Sequence, residues 1–412
     1  MQFWLWPRIE KQRRLAPLLG LKRLNQKFCP QGSDNERISR THHYMPTTQT
    51  VQVRTPMLAK TGANIGYSGE YSQLKRMLSA SGLLDRQPGY YALKISVTAA
   101  MIALGLVVLA LSHVFWVLML DAAFLGFAYT QAAFLVHDAG HRQIARTSRW
   151  SNTIGILHSN LLVGGSFSWW VRKHNKHHSN PNEVGEDPDM SIAVLAFSEG
   201  QAHEKRGLFR LIVRRQAYLF LLMLTMEAYA VRIMSVNYLI RNRSSRSVLE
   251  GLLIMAHFAF YCWLIFSHLP WAWGLAFIFV HQSVFGLYLG SVFAPNHKGM
   301  PVIEANSGLD FVDQQTRTAR NVNGNGFIDF WFGALNYQIE HHLFPTIPRN
   351  RLRKAQVIVA AFCQDRGISY RTVGMLESYK EALVYLNDVG SVLGRKAPSP
   401  KALSPAGEEG LP

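Results

Sequence analysis

The chain has 412 residues, a formal net charge of +17 and 48% hydrophobic residues. That length allows two or three soluble domains or one compact membrane domain, and the gathering of apolar residues into long blocks selects the membrane alternative. The basic excess suits an anionic membrane surface or an acidic partner, and with no zinc-finger pattern and no Lys-rich tail no nucleic-acid partner is expected. Cys29, Cys262 and Cys363 stand far apart, so no disulfide framework, thiolate zinc site or iron–sulfur cluster is expected.

In chain order, residues 1–70 are polar, basic and without period, and read as a poorly ordered or surface-lying arm. Its apolar start, Met1 to Trp6, is too short for a signal-peptide core, so no cleavable signal is expected. A short amphipathic helix is predicted over 71–90, ending at Pro88-Gly89. Ile95 to Leu111 then runs without a charge, and Val114 to Val136 carries only Asp121. A span needs about 20 apolar residues, so the segments at about 95–111 and 114–136 are expected to form a membrane hairpin with Ser112-His113 as its link. Ala217 to Ala230 holds Glu227 between flanking arginines and is too short to cross, which places it in the interface. A second hairpin, 251–266 and 271–293, turns at Ser267-His268-Leu269-Pro270. Residues 386–412, rich in Pro, Ser, Gly and Ala from about Lys396, read as a disordered tail.

The expected fold is an all-α integral membrane protein: four transmembrane helices in two hairpins plus a cytoplasmic helical cap, over residues 71–385. The middle loop carries Arg142, Arg146, Arg149, Arg172, Lys173, Lys176, Lys205 and Arg206, whereas neither hairpin link holds a Lys or Arg. The excess of positive charge on cytoplasmic loops then puts that loop and both termini on the cytoplasmic side of the cell membrane.

Three histidine clusters follow the spans: His137-Asp-Ala-Gly-His141 after the second, His174-Asn-Lys-His177-His178 in the middle loop, and Gln338-Ile-Glu-His341-His342 after the fourth. In the expected topology all three emerge on one side of the membrane. Residues three and four apart share a helix face, so each cluster can aim several imidazoles at one point. Imidazole suits iron, zinc and copper. So many convergent imidazoles exceed the needs of one four-coordinate zinc, which favours two metals. Iron also changes oxidation state where zinc does not.

Order, spacing and placement of these boxes resemble the membrane fatty acid desaturase family over roughly residues 70–385, and Asn336-Tyr-Gln-Ile-Glu-His-His-Leu-Phe-Pro345 resembles the third box of its acyl-chain branch. The resemblance implies two iron ions held by His137, His141, His174, His177, His178, His341 and His342, with His297, in Ala294-Pro-Asn-His-Lys-Gly, as an eighth ligand. Gln338 stands where many relatives have histidine, a pattern similar to front-end desaturases. The His-Pro-Gly-Gly motif of a fused cytochrome b5 domain, common in the eukaryotic members of that group, is absent from this sequence, so the likeness is to a bacterial acyl desaturase served by a separate donor.

Asp138 and Glu340 lie inside boxes, where they are expected to orient ligand imidazoles or to face solvent or arginine. Gln338 either meets a ligand water or packs. Trp169 and Trp170 line an acyl tunnel or anchor the interface. Asp187-Pro-Asp189 resembles a loop motif of the family and otherwise serves as a turn. Lys173, Lys176, Arg349 and Arg351 either meet a phosphate-bearing head group or are ordinary positive-inside charges. His257 and His281 lie within spans, where hydrogen bonding between helices accounts for them, and His158 either positions the site or packs. His113 and His268 read as loop residues, and His42, His43 and His203 receive no role. Asn323-Gly-Asn-Gly326 lacks the preceding strand of a nucleotide site.

The implied reaction is oxygen-dependent desaturation of a fatty acyl chain, acyl-CoA or acyl-lipid, with membrane lipids around it. Its electrons come from an external donor: a ferredoxin, a cytochrome b5-like protein or a reductase. An acyl hydroxylase or ketolase on the same scaffold is the nearest rival. A metal-binding membrane transporter fits less well, because transporters place metal ligands near the bilayer midplane.

Overall fold

The computed structural model describes residues 69–304 and 307–394. The arm expected at 1–70, but for its last two residues, and the tail after 394 lie outside the described residues. The first helix, α1 (Gly69–Ala80), buries Leu74 and Leu78, one turn apart, in a cluster with Leu352, Val359 and Phe362. It ends earlier than expected. Gly82 turns the chain at φ +64, and Pro88 opens α2 (Pro88–Leu111) instead of closing α1. Proline suits a first helical position because no N–H is needed there.

Among the described residues four single helices are long and apolar enough to cross a membrane: α2, α3 (Phe115–Gly140), and two later ones, Ser245–His268 and Trp271–His297. All four run past the apolar stretches that announced them. For α3 and for Trp271–His297 the overrun has a chemical consequence, since it brings His137 and His297 into the last helical turn. These two helices form the centre of the bundle. A Cβ at Gly126 of α3 would lie 2.8 Å from the His281 carbonyl oxygen, so only glycine permits that approach. The other two carry the outward apolar faces, with Leu104, Val107, Met255, Phe260 and Trp263 exposed.

Between the pairs run α4 (Ser148–Ile156), a π-helical segment over Leu157–Val163 and α5 (Phe167–Ser179), whose first turn is capped by Ser166. Short helices α6 (Glu199–Glu204) and α7 (Gly207–Arg214) lead to α8 (Gln216–Leu224) and α9 (Glu227–Arg241). The stretch expected to lie in the interface is thus two helices meeting at 72°. The long helices α10 (Ser245–His268) and α11 (Trp271–His297) follow. Glu250 of α10 is fully buried and accepts hydrogen bonds from Asn160 (3.1 Å) and Ser166 (2.7 Å), tying the π-helical segment and α5 to the bundle.

The C-terminal part comprises α12 (Phe311–Thr318), α13 (Gly326–Trp331), α14 (Gln338–Leu343), α15 (Leu352–Asp365) and α16 (Met375–Ser391). Strands β1 (Asn321–Val322) and β2 (Thr372–Val373) pair in parallel. The two-residue strand β1 directly precedes the Asn-Gly-Asn-Gly run, contrary to expectation, and Asn325 caps α13, so the run turns from strand to helix start. Helix α16 continues past the domain boundary expected at 385, because Leu386 packs with Phe220 of α8 and Val389 with Val213 of α7. Arg320, wholly buried, pairs with Glu381 and donates from Nε to the Pro295 carbonyl at 2.6 Å, fastening α16 to the end of α11.

Candidate metal centre

Four helices deliver the imidazoles. The last turn of α3 carries His137, and His141 caps that helix. His174, His177 and His178 share a face of α5. The last turn of α11 carries His297, and α14 carries His341 and His342. Two groups result, His137, His141, His174 and His341 in one and His177, His297 and His342 in the other, each with ligand atoms within 4.8 Å of one another. His178 sits between them: its Nε2 is 3.1 Å from that of His174, and its ring stacks on His342 at 4.1 Å. Within the groups the Nε2 atoms of His137 and His341 are 3.0 Å apart, and those of His297 and His342 3.1 Å.

The protonation states favour metal binding, because these rings stay neutral. Burial first, then the neighbouring imidazoles, hold His174, His178, His341 and His342 well below the ordinary histidine range. Burial lowers His141 to about 3. Neutral imidazole is the ligand form. His177 is the exception: burial alone would lower it, but the Asp187 carboxylate outweighs that and raises it.

Several rings have their outer nitrogen tied to oxygen, which turns Nε2 toward the centre. His177 Nδ1 donates to Asp187 (3.0 Å), His297 Nδ1 to the Thr318 carbonyl (2.9 Å) and His342 Nδ1 to Gln315 Oε1 (2.9 Å). His137 Nδ1 lies 3.3 Å from Asp138, whose other oxygen meets Arg349 Nε at 2.8 Å. Among the described residues the buried His141 Nε2 has no hydrogen-bond partner. An all-nitrogen donor set in two groups, with a buried nitrogen left over, fits two transition-metal ions.

The remaining sequence candidates divide. Gln338 is inside the centre: its amide N–H donates to His297 Nε2 at 2.9 Å, and its carbonyl accepts from Asn296 at 3.1 Å. Trp170 stacks on His174 at 4.5 Å, whereas Trp169 lies beside Lys173, whose ammonium is 6.0 Å from its ring. Glu340 is a correction. Its carboxylate accepts from Asn321 (2.8 Å) and Tyr370 (2.7 Å), because its place on α14 points it at the β1–β2 side. Burial pushes it up to about 7. The four basic residues offered for a head group are engaged internally: Lys173 with Asp189, Lys176 with Glu186, Arg349 with Asp138 and Arg351 with the Gly82 carbonyl.

Outside the centre, His281 bonds Tyr261 across α10 and α11 at 2.7 Å, as expected for a histidine between helices. His257 donates to the Leu161 carbonyl and His158 to that of Ile154. Sequence reasoning missed Gln315, Thr318 and Arg349 as supports of the ligand rings. It had Asp187 in view through the Asp-Pro-Asp loop, but nothing near Gln315 or Thr318 marks them.

A profile of the fatty acid desaturase family matches residues 114–374. The chain belongs to the fatty acid desaturase family. It is similar to an acyl-lipid (9-3)-desaturase of Physcomitrium patens, 29% identical over 78% of this chain and 62% of that protein. It is also similar to a Delta(6)-fatty-acid desaturase of Caenorhabditis elegans, 28% identical over 79% of this chain and 76% of that protein. A Delta(8)-fatty-acid desaturase of Euglena gracilis is 30% identical over 81% of both. The chain thus spans less than two thirds of the moss protein and more of the other two. In this family member the profile match contains all three histidine boxes, and its candidate spans make it a membrane protein.

Proposed function

We propose that the protein inserts a double bond into a fatty acyl chain, using dioxygen at two iron ions held by His137, His141, His174, His177, His178, His297, His341 and His342. The observation that carries this reading is the convergence of two imidazole groups at the ends of α3 and α11. Two adjacent methylenes become an alkene while dioxygen, two external electrons and two protons become two waters. Bound iron would supply the oxygen activation and hydrogen abstraction that side chains lack. The chain's own part is to hold the rings through Asp187, Thr318, Gln315 and Asp138, to cover His174 with Trp170, and to exclude water by burial. Gln338 in the third box, together with relatives named for Delta(6) and Delta(8) positions, supports a bond on the carboxyl side of the chain.

The electrons come from a separate donor, a ferredoxin, cytochrome b5-like protein or reductase. The spans lie as two hairpins in the cell membrane, with both termini and the metal centre cytoplasmic. The test is expression of wild type and His177→Ala with candidate donors, followed by mass spectrometry of total fatty acids. A new double bond that vanishes in the variant supports desaturation and locates the bond. A hydroxylated product instead moves the assignment to the rival oxygenase.

A further inference from the structure

A cavity of about 270 Å³ lies between the start of α2, helix α13 and the start of α15, lined among others by Tyr90, Lys94, Asp329, Phe330, Arg349 and Arg353. The charges around it do not balance. Arg349 is taken by Asp138 at 2.8 Å. Asp329 accepts from Tyr337 (2.8 Å) and Asn336 (3.0 Å), with Arg353 at 3.7 Å. Three cations therefore face two carboxylates, and Lys94 has no ion-pair partner among the described residues. Its ammonium instead lies 5.7 Å from the Tyr90 ring and 5.8 Å from that of Phe330. A half-sheltered cation in a cavity gains most from an anion that completes its solvation.

The depth of the cavity narrows the choice of anion. Lys94 immediately precedes the charge-free run from Ile95 to Leu111, so it stands at the boundary between apolar span and polar cap. Phe327 and Phe330 of α13 are exposed there, at 63% and 45%, apolar rings that suit burial in the membrane surface. At that level the abundant anions are phosphates. We propose that this cavity binds the phosphate carried by the acyl substrate, with Lys94 as its principal charge contact.

The position also bears on where the chain is desaturated, resting on the reading of acyl desaturation given above. The inner wall includes Gln131 of α3. His137 lies six residues further along the same helix, about 9 Å at ~1.5 Å per residue. A head group anchored in the cavity puts the carboxyl end of the acyl chain near the metal centre and its methyl end far away. Bond position is then counted from the carboxyl end.

The phosphate has two possible sources, a phospholipid head group or coenzyme A, and matched probes separate them. Purified protein in detergent is titrated with dioleoylphosphatidate, with dioleoylglycerol, which differs only in lacking the phosphate, and with oleoyl-CoA. Wild type should prefer phosphatidate over dioleoylglycerol by about tenfold, or about 1.4 kcal/mol. Lys94→Gln should abolish the preference and Lys94→Arg should retain it, as should Lys380→Gln, an exposed lysine elsewhere. Tighter oleoyl-CoA binding that is lost in Lys94→Gln assigns the coenzyme as the source. Equal wild-type affinity for all three probes, or a preference untouched by Lys94→Gln, overturns the proposal. If Lys94→Gln fails to fold, the comparison passes to Arg353→Gln, which should weaken the preference about threefold, and an unchanged preference there overturns it. Fatty acid profiling of cells that express the same wild-type protein with candidate donors separates the two claims: phosphate preference without a new double bond leaves the cavity standing and removes the desaturase reading.

Discussion

Acidification of the metal-free protein tests the electrostatics of the centre directly. His141, His174, His178, His341 and His342 are all held below the ordinary histidine range, chiefly by burial. Each is neutral when folded and gains a proton near pH 6.5 when unfolded. Their stability contribution is therefore complete above about pH 6.5 and drains away as pH falls through that value toward their folded pKa, about 3 for His141. One unit below, at about pH 5.5, each imidazole costs about 1.4 kcal/mol, so the five together cost on the order of 7 kcal/mol. His177 runs the other way. Its raised pKa gives stability that is present below about pH 6.5 and lost as pH rises through its folded value, which returns part of the loss. The remainder is comparable to the whole stability of a typical domain, roughly 5–15 kcal/mol. Unfolding in mixed micelles, followed by tryptophan fluorescence at pH 7.5 and 5.5, should show the midpoint collapse in chelator-treated protein. Iron-loaded protein should resist to lower pH, because metal competes with protons for the same nitrogens. An unchanged midpoint in the metal-free protein would refute the reasoning and mean that the imidazoles are hydrated.

Each metal group should be separable by mutation: His297→Ala should cut bound iron from about two ions to about one per chain, and His141→Ala should do the same for the other group, both read by elemental analysis. The Asp138–Arg349 pair is almost fully buried, so Asp138→Asn or Arg349→Met alone should destabilise by about 3–5 kcal/mol. The double variant should cost clearly less than the sum, and an additive cycle in the same unfolding assay counts against the pair. Glu250→Gln should cost about 1–3 kcal/mol and detach α5 from α10, seen as faster amide exchange around Ser166. Turnover with a limiting acidic donor should fall steeply with ionic strength if the +17 charge guides docking, and a flat salt profile would remove that role.

Much of the site was legible because its signals are local. A charge-free run such as Ile95 to Leu111 reads as a span whatever surrounds it. His174, His177 and His178 share a face of α5 by the geometry of a single helix. The histidine boxes were therefore visible as clusters before any packing was known, whereas the isolated His297 came into view only through the family resemblance. Glu340 was misjudged because neighbours in sequence point to different sides of a short helix, and only the β1–β2 contact fixes which side faces the metal.

What remained hidden is contributed by distant segments. Gln315 and Thr318 come from α12, yet they orient rings on α14 and α11. Arg349 meets Asp138 across most of the chain. The sequence by itself determined the spans and the supply of imidazoles, since hydrophobicity and helical spacing act over a few residues. Tertiary structure alone decided how the rings divide into two groups, which oxygens hold them, and that Lys94 is left facing a cavity, because these depend on packing between elements far apart in the chain.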